Sequence, residues 1–178
     1  RGLGDVYKRQ RVIREGGIAA VKGIGGFHLV CDASNAKAVK RLRDRKGRNE
    51  KPLAVMCAGV DSAKRIALVD AAEEKLLTGT AHPIVLLRKK PEIVESEAFP
   101  GIADELSEIG VMLPYTPLHA LLFHALLGEP EGTAWMEEPH DLYLVMTSAN
   151  PGGEPLVIGN DEARKRLSSI ADVLLLHN

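Results

Sequence analysis

Residues 45–56 read RKGRNEKPLAVM. Lys46, Arg48 and Lys51 place three cations within six residues, and a proline-led apolar run follows at once. Leu53–Cys57 (LAVMC) has the length and composition of a buried strand. Upstream, Ser34 or Asn35 caps a helix running to about Lys46, with Ala38, Val39 and Leu42 on its inner face. The stretch is therefore a helix-to-strand junction. Cations suit the C-terminal end of a helix dipole. A cationic cluster where a strand begins also suits an anion. The charge run alone favours the solvated helix end.

Outward from this junction, strands and helices alternate. Gly17–Lys22 is a short apolar strand, and Gly23–Gly26 a loop that lets backbone approach a ligand. Asp61 and Asp70 cap two short helices, with Gly79 as the stop of the second. Pro83–Arg88 is a strand. Pro91–Glu108 is acidic and patternless, and reads as a long loop able to cover a site. Ile109–Leu113 is a strand, Pro117–Leu127 an apolar helix with proline in its first turn, and Glu129–His140 a second loop. Leu142–Thr147, Asp161–Ser168 and Asp172–Leu176 read as strand, helix and strand. The alternation predicts an α/β domain around one sheet.

The chain has 178 residues, the size of one ordinary domain, and 45% hydrophobic residues supply a core. Mean hydropathy is −0.05. No apolar run approaches the ~18 residues that a membrane helix needs, and no secretory signal is visible. Cys31 and Cys57 are the only cysteines. They form no CxxC pair, so they read as core thiols in a reducing, cytoplasmic setting, with no metal site. Aromatics at 4% are too few for a single-strand stacking platform. Net charge is −1, yet eight Lys/Arg and two acids between Lys37 and Lys51 give that window +6. Residues 1–10, RGLGDVYKRQ, lack a sustained period and read as an assembly or translated-adapter scar. Residues 11–178 then form the domain, expected to be part of a longer multidomain chain.

Three stretches combine cations, glycine-rich backbone and small donors at strand–loop junctions, where α/β sheets bind ligands. They are the 46–51 cluster, KGIGGFH at 22–28, and TSANPGGEP at 147–155. KGIGG lacks the spacing of a Walker loop. Ser148 and Asn150, taken singly, read first as turn formers making local backbone bonds.

Taken together, GIAAVKGIGGFHLVCDASNAKAVKRLRDRKGRNEKPLAVM, PIVLL, IGVMLPYTPLHALL, LVMTSANPGGEP and IADVLLLHN resemble the YrdC/Sua5-like domain of HypF hydrogenase-maturation carbamoyltransferases. The resemblance covers Gly16 to Asn178. It implies a twisted, mostly mixed sheet (DHBP synthase-like) with flanking helices and a concave nucleotide cavity. It implies ATP-dependent formation of carbamoyl-adenylate, with Mg²⁺ on the phosphates. A Kae1-like domain elsewhere in such chains passes the carbamoyl group to HypE. The family's KxR element is matched by Lys46 and Arg48, with Lys51 just after, and its SxN element by Ser148 and Asn150. Lys46 and Arg48 then carry catalysis and phosphate binding. Gly25, Gly26, Phe27, Met112 and Thr147 border the substrate pocket.

Two alternatives accompany this reading. Relatives that make threonylcarbamoyl-adenylate carry an arginine in a VRxP-like stretch, where this chain has Val111-Met112-Leu113-Pro114. Met112 cannot pair with an amino-acid carboxylate, which favours the HypF branch. Domains of this type are also associated with double-stranded RNA, which the +6 window could contact. His28 and His119 lie near the proposed elements, but for each a packed or hydrogen-bonded histidine is the favoured reading.

Overall fold

The helix that ends at Lys46 hands the chain over to the middle of a sheet. In the computed structural model, which describes residues 10–48, 51–96, 98–150 and 154–176, α1 spans Ala36–Lys46. The Asn35 side chain accepts from Ala38 N–H at its start, and Gly47 closes it in the left-handed conformation at φ 66°. The seven strands are β1 (Ala19–Lys22), β2 (Phe27–Asp32), β3 (Ala54–Cys57), β4 (Val85–Arg88), β5 (Glu108–Met112), β6 (Tyr143–Ser148) and β7 (Val173–Leu175). Their order is β4-β5-β3-β6-β2-β1-β7. β1/β7 and β3/β5 are parallel and the other neighbours antiparallel. The sheet is mixed, and the fold is α/β.

Strand alternation divides the core into two layers. Phe27, Leu29, Val55, Val111 and Val145 face one side, which α1 covers with Ala38, Val39 and Leu42. Helices α2 (Val60–Ile66), α3 (Ala71–Thr78) and α6 (Asn160–Arg166) add Ile66, Leu77 and Ala163 there. Val30, Met56, Met112, Leu144 and Met146 face the other side. Helix α5 (Pro117–Leu126) covers that face with Leu122 and Phe123, joined by Trp135 and Ile13. Around Leu86 and Gly110 the cover stops: Leu86 is 64% exposed while its neighbour Leu87 is fully buried.

The structure corrects several expectations. FHLVCD is a strand, and Gly23–Gly26 is the hairpin turn before it, with Gly23 N–H donating to Gly26 O. His28 and Cys31 blur the β pattern, while the glycines draw attention to the turn. Asp61 is not a cap. Gly59 holds that position, because a Cβ there would lie 2.2 Å from the Met136 carbonyl oxygen. The 91–108 stretch is not a patternless loop. It contains α4 (Pro91–Glu95), and Phe99, Ile102 and Ala103 sink into the α1-side core. It therefore packs on the side away from the uncovered sheet face. The 129–140 loop holds a 3₁₀ turn, Ala134–Met136, anchored by buried Trp135. Gln10 opens a helical stretch over 10–14, and residues 1–9 lie outside the described residues.

Leu87→Ala should destabilise the chain by about 3 kcal/mol in urea unfolding, and Leu86→Ala by less than about 0.5 kcal/mol. Equal losses would show that the face at Leu86 is covered.

Candidate functional site

The uncovered part of the sheet is a trough of about 390 Å³. Its floor is a row of paired residues across four strands. Leu86 faces Gly110 across β4/β5, and Ala54 faces Met146 across β3/β6. Gly110 and Ala54 are small, and that keeps the row low. Met112, Leu53, Pro52 and Ile84 complete the apolar wall, while His28, Arg48, Thr147 and Ser148 supply its polar end. His28 and Ser148 are direct partners across β2/β6.

The polar end is built by two chain reversals. The Gly47 cap turns the chain between Lys46 and Arg48, so both side chains reach the end of β6. Lys46 is 5% exposed. Its ammonium donates to the Ser148 carbonyl oxygen and, at 2.7 Å, to that of Asn150. Ser148 Oγ and Asn150 Oδ1 lie 3.4 Å away. Arg48 approaches Thr147 Oγ1 at 3.4 Å and donates to Pro52 O at 3.1 Å, and its Nε is buried with no partner. No carboxylate pairs with Lys46 or Arg48 among the described residues. Burial, and then the neighbouring Arg48 charge, pull the Lys46 ammonium down from 10.5 to about 8. Two cations held by neutral oxygens leave this end of the trough positively charged.

The placements sort the expected residues. Lys46, Arg48, Thr147, Ser148 and Asn150 converge, and Met112 lines the trough. Lys51 is exposed, and its carbonyl accepts from Arg43. Gly25 and Gly26 sit on the β1–β2 turn, whose following residue Phe27 bonds Val157 O and Ala149 N–H through its backbone. The Phe27 side chain points into the α1-side core, so it does not face the trough. That position belongs to His28, one residue on: strand parity decides it, and parity is readable only once FHLVCD is known to be a strand. Tyr115 Oη lies 2.8 Å from His28 Nε2.

Much of the basic run is used inward. Arg43 donates to Gly101 O and Arg48 O, Arg45 pairs with Asp172, and Lys40 with Asp44. Cys31 and Cys57 are buried free thiols. Burial pushes the Cys31 thiol up to about 12 and that of Cys57 higher, so neither is a nucleophile at neutral pH. Among the described residues no cluster of three His, Cys, Asp or Glu could hold a metal, and no helix is long and apolar enough to cross a membrane.

Comparison with known proteins places residues 11–178 in the Sua5/YciO/YrdC family, described as telomere recombination, and the chain belongs to that family. The carbamoyltransferase HypF2 of Cupriavidus necator is 56% identical over 166 residues, covering 93% of this chain and 20% of the relative. The crystal structure of a full-length HypF in its phosphate- and nucleotide-bound form superposes with a TM-score of 0.83 at 44% identity, over 97% of this chain and 25% of that one. P. abyssi Sua5 complexed with L-threonine shares the fold, with a TM-score of 0.75 at 20% identity, over 97% of this chain and 46% of that one. The chain thus spans about a fifth of the length of its curated relative.

The Lys46 geometry makes a signed prediction. Its folded-state value lies below its unfolded value, so the charged form is disfavoured by folding. Stability of the parent relative to Lys46→Met should rise as pH increases from about 8 to 10.5, measured by urea unfolding. A fall over that window would mean that Lys46 is held by a carboxylate.

Proposed function

We propose that this chain, as a HypF-type member of the Sua5/YciO/YrdC family, forms carbamoyl-adenylate from ATP and carbamate. The observation that carries the reading is the convergence of Lys46 and Arg48 on Thr147, Ser148 and Asn150 at one end of an apolar trough. A nucleotide has the matching polarity: an apolar face for the purine at one end and anionic phosphates at the other.

A carbamate oxygen attacks the α-phosphorus of ATP, the bond from that phosphorus to the bridging oxygen breaks, and pyrophosphate leaves. Both reactants are anionic, so the protein's contribution is alignment and charge neutralisation. Lys46 acts as a point charge and Arg48 as a planar fork on the phosphates. Arg48 Nε, buried and unpartnered, is a donor in reserve for a phosphate oxygen. Ser148 and Asn150 orient phosphate or ribose, with Thr147 placing the Arg48 fork. Mg²⁺ would come with the nucleotide and would supply further neutralisation of its phosphate charge, beside Lys46 and Arg48.

Met112 on the trough wall supports carbamate over threonine. An amino-acid substrate brings a second carboxylate, and burying it against a thioether leaves it uncompensated. Carbamate brings only the carboxylate that reacts. The apolar wall also limits water near the mixed anhydride, which hydrolyses readily. In the intact protein the carbamoyl group would pass through a Kae1-like domain to HypE during nickel–iron hydrogenase maturation, in the cytoplasm.

Lys46→Ala and Arg48→Ala should each weaken ATP·Mg²⁺ binding about tenfold or more, measured by calorimetry, with far-UV circular dichroism unchanged. Parent-like affinity in both variants would remove the phosphate assignment.

A further inference from the structure

One group on the trough is not used by the nucleotide chemistry above. His28 stands at the polar end, across the β2/β6 pairing from Ser148. It belongs to a cluster of rings assembled from distant segments. Tyr115 Oη is 2.8 Å from His28 Nε2. His119 lies edge-on to Tyr115 at a centroid distance of 4.6 Å and to His28 at 6.2 Å. The His82 ring is 6.0 Å from Tyr115 on a backbone with φ 43°. His119 is fully buried, and neither of its ring nitrogens has a hydrogen-bond partner. An apolar side chain would fill that position at lower cost, so packing alone does not explain the imidazole.

We propose that His28 is the neutral hydrogen-bond donor that reads the acyl end of the adenylate, with Tyr115 as its positioning residue. The inference rests on the nucleotide reading above. In an acyl-adenylate the acyl group hangs from the α-phosphate, so its reader must stand beside the phosphate-binding residues and away from the purine. Of the polar trough residues, Arg48, Thr147 and Ser148 belong to the phosphate end, and the rest of the wall is apolar. Among the described residues, His28 is the remaining polar side chain on the wall. In this assignment the Tyr115 hydroxyl, 2.8 Å from Nε2, donates to it, which places the proton on Nδ1 and makes that N–H the donor. Burial holds the His28 and His119 imidazoles below their usual range and the Tyr115 phenol above its own. All three are then uncharged at neutral pH. A neutral donor suits the carbonyl oxygen of the carbamoyl group, which carries no formal charge once the anhydride has formed.

The test compares two stable nucleotides of equal charge that differ in the acyl unit: adenosine 5′-(carbamoylmethyl)phosphonate and, as the plain compound, adenosine 5′-ethylphosphonate. The parent chain should bind the carbamoyl compound about tenfold more tightly than the plain one. His28→Ala should abolish that preference by lowering affinity for the carbamoylmethyl compound to that for the ethyl one. His28→Asn, whose amide N–H falls near the Nδ1 position, should restore it. Tyr115→Phe keeps the ring and removes the hydroxyl, and should cut the preference by about threefold. A preference that survives His28→Ala, or an equal loss for both compounds in that variant, would overturn the assignment. A parent that binds both compounds without preference would overturn it alone. A parent that binds neither would overturn the nucleotide reading and this inference together.

Discussion

The site depends on one buried ammonium. Lys46 leaves the last turn of α1 and donates to the backbone carbonyls of Ser148 and Asn150. Those bonds tie the C-terminal end of a helix to the end of β6, two segments about a hundred residues apart in sequence. A buried cation without a carboxylate is disfavoured unless dipoles or a ligand compensate it. Here the carbonyl dipoles of Ser148 and Asn150 do so in part, while burial and the Arg48 charge still disfavour the ammonium. A phosphate would complete the compensation. The same contact fixes Asn150 and Ser148 at the trough and, through the Gly47 cap, sends Arg48 toward Thr147.

The rest of the architecture keeps that end of the sheet accessible. Helices α1, α2, α3 and α6, with Phe99 and Ile102 of the 91–108 segment, cover one face, while α5 and Trp135 cover part of the other. The uncovered part has a low floor because Gly110 and Ala54 occupy positions where larger side chains would fill the trough. A Cβ at Gly110 would come 3.0 Å from Ile84 Cγ2, so even alanine there would press on the wall. Stability and site thus draw on opposite faces of one sheet.

Much of this was legible in the sequence, and its limits were physical. Asn35, Asp70, Gly79 and the apolar runs marked helices and strands to within a residue or two, because capping and periodicity are local. The KxR and SxN elements were visible as motifs, but their contact was not, since nothing local says that Lys46 reaches Ser148. The strand Phe27–Asp32 was missed because His28 and Cys31 interrupt the pattern, and with it went the parity that turns Phe27 inward and His28 outward. The 91–108 segment misled for another reason. Its acids conceal Phe99 and Ile102, whose burial is a tertiary fact. The basic run looked like an outward patch, whereas Arg43 and Arg45 spend their donors on neighbouring loops and on Asp172.

The most direct test of the account is ATP–pyrophosphate exchange by the purified chain with Mg²⁺. One mixture contains carbamoyl phosphate with an acylphosphatase to release carbamate. The other contains bicarbonate and threonine. The account predicts exchange in the first mixture and none in the second. Exchange with threonine alone would contradict it, and would mean that Met112 does not set the substrate.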